Sequence, residues 1–72
     1  MDHPLITRNP GIAAGKPIIK GTRITVEMLV DEYAAGRTVE QILRSYPHLT
    51  REQIEAAFAY DAQMKQADKL AG

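Results

Sequence analysis

Six cationic side chains, Arg8, Lys16, Lys20, Arg23, Arg44 and Arg51, give this chain something to offer a polyanion. Lysine and arginine neutralise phosphates, and arginine also presents a planar fork that fits the edge of guanine. The charges are unevenly spread. Residues 1–23 hold Arg8, Lys16, Lys20 and Arg23 against the single acid Asp2, a net charge of +3. Residues 24–72 hold five basic and eight acidic side chains, a net of −3, so the whole chain is neutral. Neutrality argues against a strong non-specific grip on nucleic acid, and makes the N-terminal segment the better candidate for a weak one.

Other chemistry is poorly supplied. Gly11 to Pro17, G-I-A-A-G-K-P, has the outline of a phosphate-binding loop. Its glycines are one residue too close, and Pro17 stands where a serine or threonine would hold magnesium, which excludes nucleotide hydrolysis there. His3 and His48 are far apart and beside no cysteine or carboxylate at ligand spacing. No metal, cofactor or histidine-based catalysis is expected from them, and His48 is expected at a solvent-facing corner. Glu52 and Glu55 share a helix face and read as a solvated acidic surface. No side chains pair a nucleophile with a base, so no enzyme and no small-molecule substrate are expected.

The elements that position these groups are organised around Thr38 to Asp61. Thr38 and Gln41 have capping-box spacing, and Val39, Ile42, Leu43 and Tyr46 then fall on one helical face. Pro47 stops that helix. Thr50 and Gln53 repeat the cap, and Leu49 with Ile54 form a hydrophobic staple. Two helices around so tight a corner predict a helix-turn-helix. The exposed start of the second of these, Arg51, Glu52 and Glu55, would meet DNA bases. One base among three acids over residues 51–62 makes it a poor reader, so phosphate contacts from the other cations, Arg37 included, would have to supply the affinity.

Upstream, Thr25 caps an earlier helix with Val26, Leu29, Val30 and Tyr33 on its buried face, Ile24 and Leu29 as its staple, and Gly36 ending it after Ala35. Residues 5–24 read as a β element: a strand at Leu5–Arg8, a turn at Asn9-Pro10-Gly11, then strands at Pro17–Ile19 and Thr22–Ile24 around a Lys20-Gly21 hairpin loop in which Gly21 has positive φ. Arg23 could bind phosphate or bond the helix carbonyls near Ala35. The last helix runs from Arg51 towards Gly72, with Ile54, Ala57 and Phe58 inward. A second stripe, Ala56, Ala59, Tyr60, Gln63, Ala67 and Leu70, reads as a partner surface, or else as an exposed alanine-rich face.

The expected fold is therefore mostly α: a three-helix, homeodomain-like helix-turn-helix core (25–62), a short N-terminal β element (1–24) and a helix extension or frayed tail (63–72), all in one domain. Seventy-two residues without cysteine can build only a small core, so a homodimer, with strands of two copies sharing a sheet, is expected. No apolar run approaches membrane-spanning length and residues 1–6 lack a signal-peptide core, so a cytoplasmic protein is expected.

Three stretches carry a family resemblance: G-K-P-I-I-K-G-T-R-I-T-V (15–26), A-A-G-R-T-V-E-Q-I-L-R-S-Y-P-H-L-T (34–50) and I-E-A-A-F-A-Y (54–60). Over residues 6–62 the chain resembles the domain-of-unknown-function family 433. Gly21, Thr22 and Arg23 match its G-T-R signature, and Tyr46, Pro47, Leu49 and Thr50 its corner. The resemblance implies a homeodomain-like fold and, in many bacteria, a non-catalytic antitoxin beside a toxin resembling a PIN-domain ribonuclease. Such antitoxins dimerise, bind their own promoter DNA and block the toxin's metal site. The match ends near residue 62, so a toxin contact would fall on Gln63 to Leu70 or on the N-terminal strands. A stand-alone helix-turn-helix transcriptional regulator and a pure dimerisation module are the other readings.

Overall fold

The structure, a computed structural model, describes the backbone of residues 3–71 and the side chains of residues 3–66. It comprises β1 (Ile6–Arg8), a short 3-10 turn (Ala13–Gly15), β2 (Pro17–Ile19), α1 (Val26–Ala34), α2 (Val39–Ser45) and α3 (Arg51–Ala71). The fold is mostly helical, with a two-stranded antiparallel sheet ahead of the three helices. Ile6 pairs with Ile19, Thr7 with Ile18 and Arg8 with Pro17.

The helices start and stop where local chemistry requires. Thr25 Oγ1 accepts the Met28 N–H at 3.0 Å and caps α1. Past Ala34 the chain turns through Gly36, at φ 92°. There the Gly36 N–H bonds the Tyr33 carbonyl and the Arg37 N–H the Glu32 carbonyl, the paired bonds of a Schellman stop. Thr38 and Gln41 form the reciprocal capping box of α2. Thr50 and Gln53 repeat it at α3, through bonds of 2.8 and 3.2 Å. Each box satisfies amide donors that would otherwise be orphaned at a helix start.

The core joins Ile6 and Ile19 from the strands, Val26 and Leu29 from α1, Ile42 from α2, Leu49 from the corner, and Ile54, Ala57 and Tyr60 from α3. The two staple residues Leu49 and Ile54 are thus both buried. At 21 residues, about 31 Å, α3 is the longest element and packs against α1, α2 and β1.

Three expectations about the fold need correction. Thr22–Ile24 is not a strand. Residues 20–24 form a turn in which the Ile19 carbonyl accepts the Thr22 N–H and the Ile19 N–H reaches the Ile24 carbonyl, leaving one isolated bridge, Ile18 to Thr25. The loop is therefore longer than two residues, although Gly21 does take positive φ, 81°. Tyr33 is not buried: it is 59% exposed, because it lies in the last turn of α1. Two members of the expected outer stripe of α3 do not face outward. Ala56 and Tyr60, only 8% and 7% exposed, lie in the interior. A helix with neighbours on three sides buries a sector much wider than one stripe, and the 3.6-residue repeat splits that sector into what read as two.

Candidate functional site

The basic residues divide into those that are engaged within the chain and those that are not. Lys16 Nζ lies 3.2 Å from Glu27 Oε1, and Arg37 Nε lies 3.0 Å from Glu32 Oε2. Arg51, the one expected base reader at the start of α3, is paired with Glu40 in the first turn of α2. The hydrogen bond from Arg51, with help from a backbone bond, holds the Glu40 carboxyl below its ordinary range, and the charge of Arg44 acts in the same direction. The helix-turn-helix corner thus exists, but its leading arginine is occupied, and Glu52 and Glu55 beside it are exposed.

The β element is different. Arg8, at the end of β1, donates from Nη2 to the Tyr60 hydroxyl at 3.4 Å. It makes no ion pair among the described residues, and neither do Lys20, Arg23 and Arg44. The expected bond from Arg23 to the carbonyls near Ala35 does not form: those carbonyls belong to the Schellman stop, and Arg23 projects from the turn after β2 as an exposed residue.

The local sequence explains this placement. Gly21 supplies the positive φ, and a Cβ there would meet nothing within 4 Å, so the requirement is conformational and not steric. The Thr22 hydroxyl donates to the Ile19 carbonyl at 2.8 Å and accepts the Ile24 N–H at 3.0 Å, closing the turn. Gly21 and Thr22 therefore build the turn and Arg23 is what the turn presents. Arg8 lines a groove of about 360 Å³ with Glu27, Asp31 and Asp61, and lies between two further shallow grooves, each of about 410 Å³. One runs past His3, Thr7, Lys20 and Tyr60, the other past Asn9, Thr22 and Arg23.

On the expected partner surface, Ala59 and Gln63 are exposed, whereas Ala56 and Tyr60 belong to the core. The side chains of Ala67 and Leu70 lie outside the described residues. Sequence reasoning missed a different apolar surface. Tyr33 packs on Phe58 with ring centroids 4.9 Å apart and the ring planes tilted by 45°. The available signal was the place of Tyr33 just before the helix stop at Gly36, where a core-phase residue overhangs the core. His48 is exposed at the corner, as expected. Among the described residues no three His, Cys, Asp or Glu side chains gather within reach of one metal ion, and no helix is long and apolar enough to cross a membrane.

A three-helix domain preceded by a basic two-stranded hairpin is the class that this fold defines. The chain matches the family described as "Protein of unknown function (DUF433)" over residues 6–60, and it belongs to that family. It is 38% identical over 56 residues to "Uncharacterized protein y4eO" of Sinorhizobium fredii (strain NBRC 101917 / NGR234), an alignment covering 78% of this chain and 25% of that protein. The crystal structure of a DUF433 member protein from Anabaena variabilis ATCC 29413 superposes with a TM-score of 0.80 at 36% identity, over 90% of this chain and 65% of that one. The chain therefore spans a quarter of the length of the first relative and somewhat under two thirds of the second.

Proposed function

We propose that this protein is a non-catalytic, antitoxin-like binding module that dimerises and captures a cognate toxin resembling a PIN-domain ribonuclease, in the cytoplasm. The family resemblance motivates the role. The observation that carries it is Tyr33, 59% exposed and packed at a tilt against Phe58 between α1 and α3. Rigid aromatic side chains held at a surface are the residues most often found as anchors of protein interfaces. A single exposed hydrophobic residue is ordinary; an ordered aromatic pair is a better foothold.

Co-expression with the product of the adjacent gene, followed by co-purification and sedimentation, tests the reading. The expected result is a stable complex at micromolar concentration that Tyr33→Ser abolishes while the variant's melting curve stays close to the parent's. A solitary monomer that captures no toxin would overturn it. The stand-alone regulator is the weaker reading, because Arg51 is held by Glu40 and acids surround it.

A further inference from the structure

The structure assigns a polyanion-binding face to the hairpin: Arg8, at the end of β1, with Lys20 and Arg23, in the turn after β2, form a contact surface for the phosphate backbone of a nucleic acid. The helix-turn-helix corner, where such contact would be sought first, is not that surface. This stands apart from the antitoxin reading, since toxin capture can succeed where nucleic-acid binding fails, and the reverse.

Three observations carry it. These three cations have no ion pair among the described residues, whereas Lys16, Arg37, Arg51 and Lys65 are each paired; Arg44 is unpaired too, but it stands in the last turn of α2 and lines neither groove. They are also neighbours in space. Lys20 donates its backbone N–H to the Leu5 carbonyl, three residues along β1 from Arg8, a separation of about 10 Å on an extended strand. Arg8 and Arg23 flank one groove. Finally, Thr7, Asn9 and Thr22 line that groove beside Ile12 and Ile18, and are small polar side chains of the kind that supplement lysine and arginine on phosphate oxygens.

The clustering of three cations favours nucleic acid over an acidic protein. The centre of a protein interface is depleted of charge and holds apolar anchors, and the exposed apolar residues Met28 and Tyr33 line neither groove. With a neutral chain and few contacts, binding is weak, indifferent to sequence and steeply dependent on salt.

Fluorescence anisotropy of a labelled random-sequence DNA duplex, titrated with the protein over a salt series, tests the assignment. The parent protein should bind at low salt with a linear log–log dependence on salt. The triple variant R8Q/K20Q/R23Q should lose about 2.7 from that slope, at about 0.9 per phosphate contact, and at least about tenfold in affinity at low salt. The double variant K20Q/R23Q leaves the Arg8–Tyr60 bond intact and should lose about 1.8, so the test survives if the triple variant folds poorly. R51Q and R44Q should bind as the parent does. Absence of a salt-dependent parent complex, loss in R51Q or R44Q in place of the hairpin variants, or equal displacement of the duplex by poly-glutamate of matched charge would each overturn it; the last result would assign the face to an acidic protein.

Discussion

Arg51 opens α3 and Glu40 sits in the first turn of α2, and the ion pair between them ties the two helices together across the corner. Both side chains are exposed, so the pair is screened by salt and adds little to stability. Its signature is its pH dependence. Arg51 lowers the Glu40 pKa below the ordinary value of a glutamate. A carboxyl whose pKa is lower in the folded state contributes stability above its unfolded pKa and loses it as pH falls through the folded one. The melting temperature of the parent should therefore fall more steeply than that of Arg51→Gln between about pH 5 and pH 3, and high salt should remove the difference. Parallel curves at low salt would show that the pair is absent in solution.

Gly21 occupies φ 81° with open space around it, so substitutions there read out backbone strain alone. The left-handed region costs a residue with a Cβ about 1–2 kcal/mol, less for asparagine and more for a β-branched side chain. Urea denaturation should rank Gly21→Asn, Gly21→Ala and Gly21→Val in order of increasing loss. A Gly21→Val protein as stable as the parent would refute the turn geometry.

Local grammar was legible in the sequence because each signal lies within a few residues. Thr25, Thr38 and Thr50 all cap helices, Gly36 ends α1, Gly21 turns the chain, and Pro17–Ile19 is β2. The missing third strand was lost to bonds within residues 19–24; other failures depended on partners remote in the chain. The burial of Ala56 and Tyr60 follows from the docking of α3 against three other elements, and the loss of Arg51 to Glu40 joins residues eleven apart across a corner. The fate of Arg23 needed both kinds of knowledge: the turn is local, but only the folded chain reveals that the α1 carbonyls are already bonded to Gly36 and Arg37.

The two faces of α3 can be separated by charge insertion. Ala56 is buried and Ala59 is exposed, three positions further along the same helix. Ala56→Arg forces a long cation into the packed interior and should cost at least about 1–3 kcal/mol from overpacking alone, whereas Ala59→Arg should leave the unfolding midpoint unchanged. Tyr60→Phe removes only the hydroxyl that meets Arg8 and should cost about 1 kcal/mol. Tyr60→Ala also opens a cavity and should cost about 3–5 kcal/mol, the range for a buried large aromatic. Equal stability of the two alanine-to-arginine variants would restore the expected outer stripe.

The loop that carries the chain from Arg8 back to its sheet partner Pro17 does so at a local cost. Ala13 and Ala14 take φ values of 50° and 56°, and Gly15 follows at 80°, a left-handed turn closed by bonds from the Gly15 N–H to the Ile12 carbonyl and from the Lys16 N–H to the Ala13 carbonyl. Each alanine there bears the left-handed penalty of about 1–2 kcal/mol, and glycine would remove it while giving up about 0.5–1 kcal/mol of unfolded-chain freedom. Ala14→Gly should therefore stabilise the protein by up to about 1 kcal/mol, which for so small a domain raises the melting temperature by roughly 4–8 °C. Ala14→Val should lower it. The side chain of Ala14 is exposed, so neither change alters the core, and the opposite signs come from the backbone alone. A glycine variant that melts lower than the parent, or a valine variant that melts higher, would place this turn in the right-handed region instead.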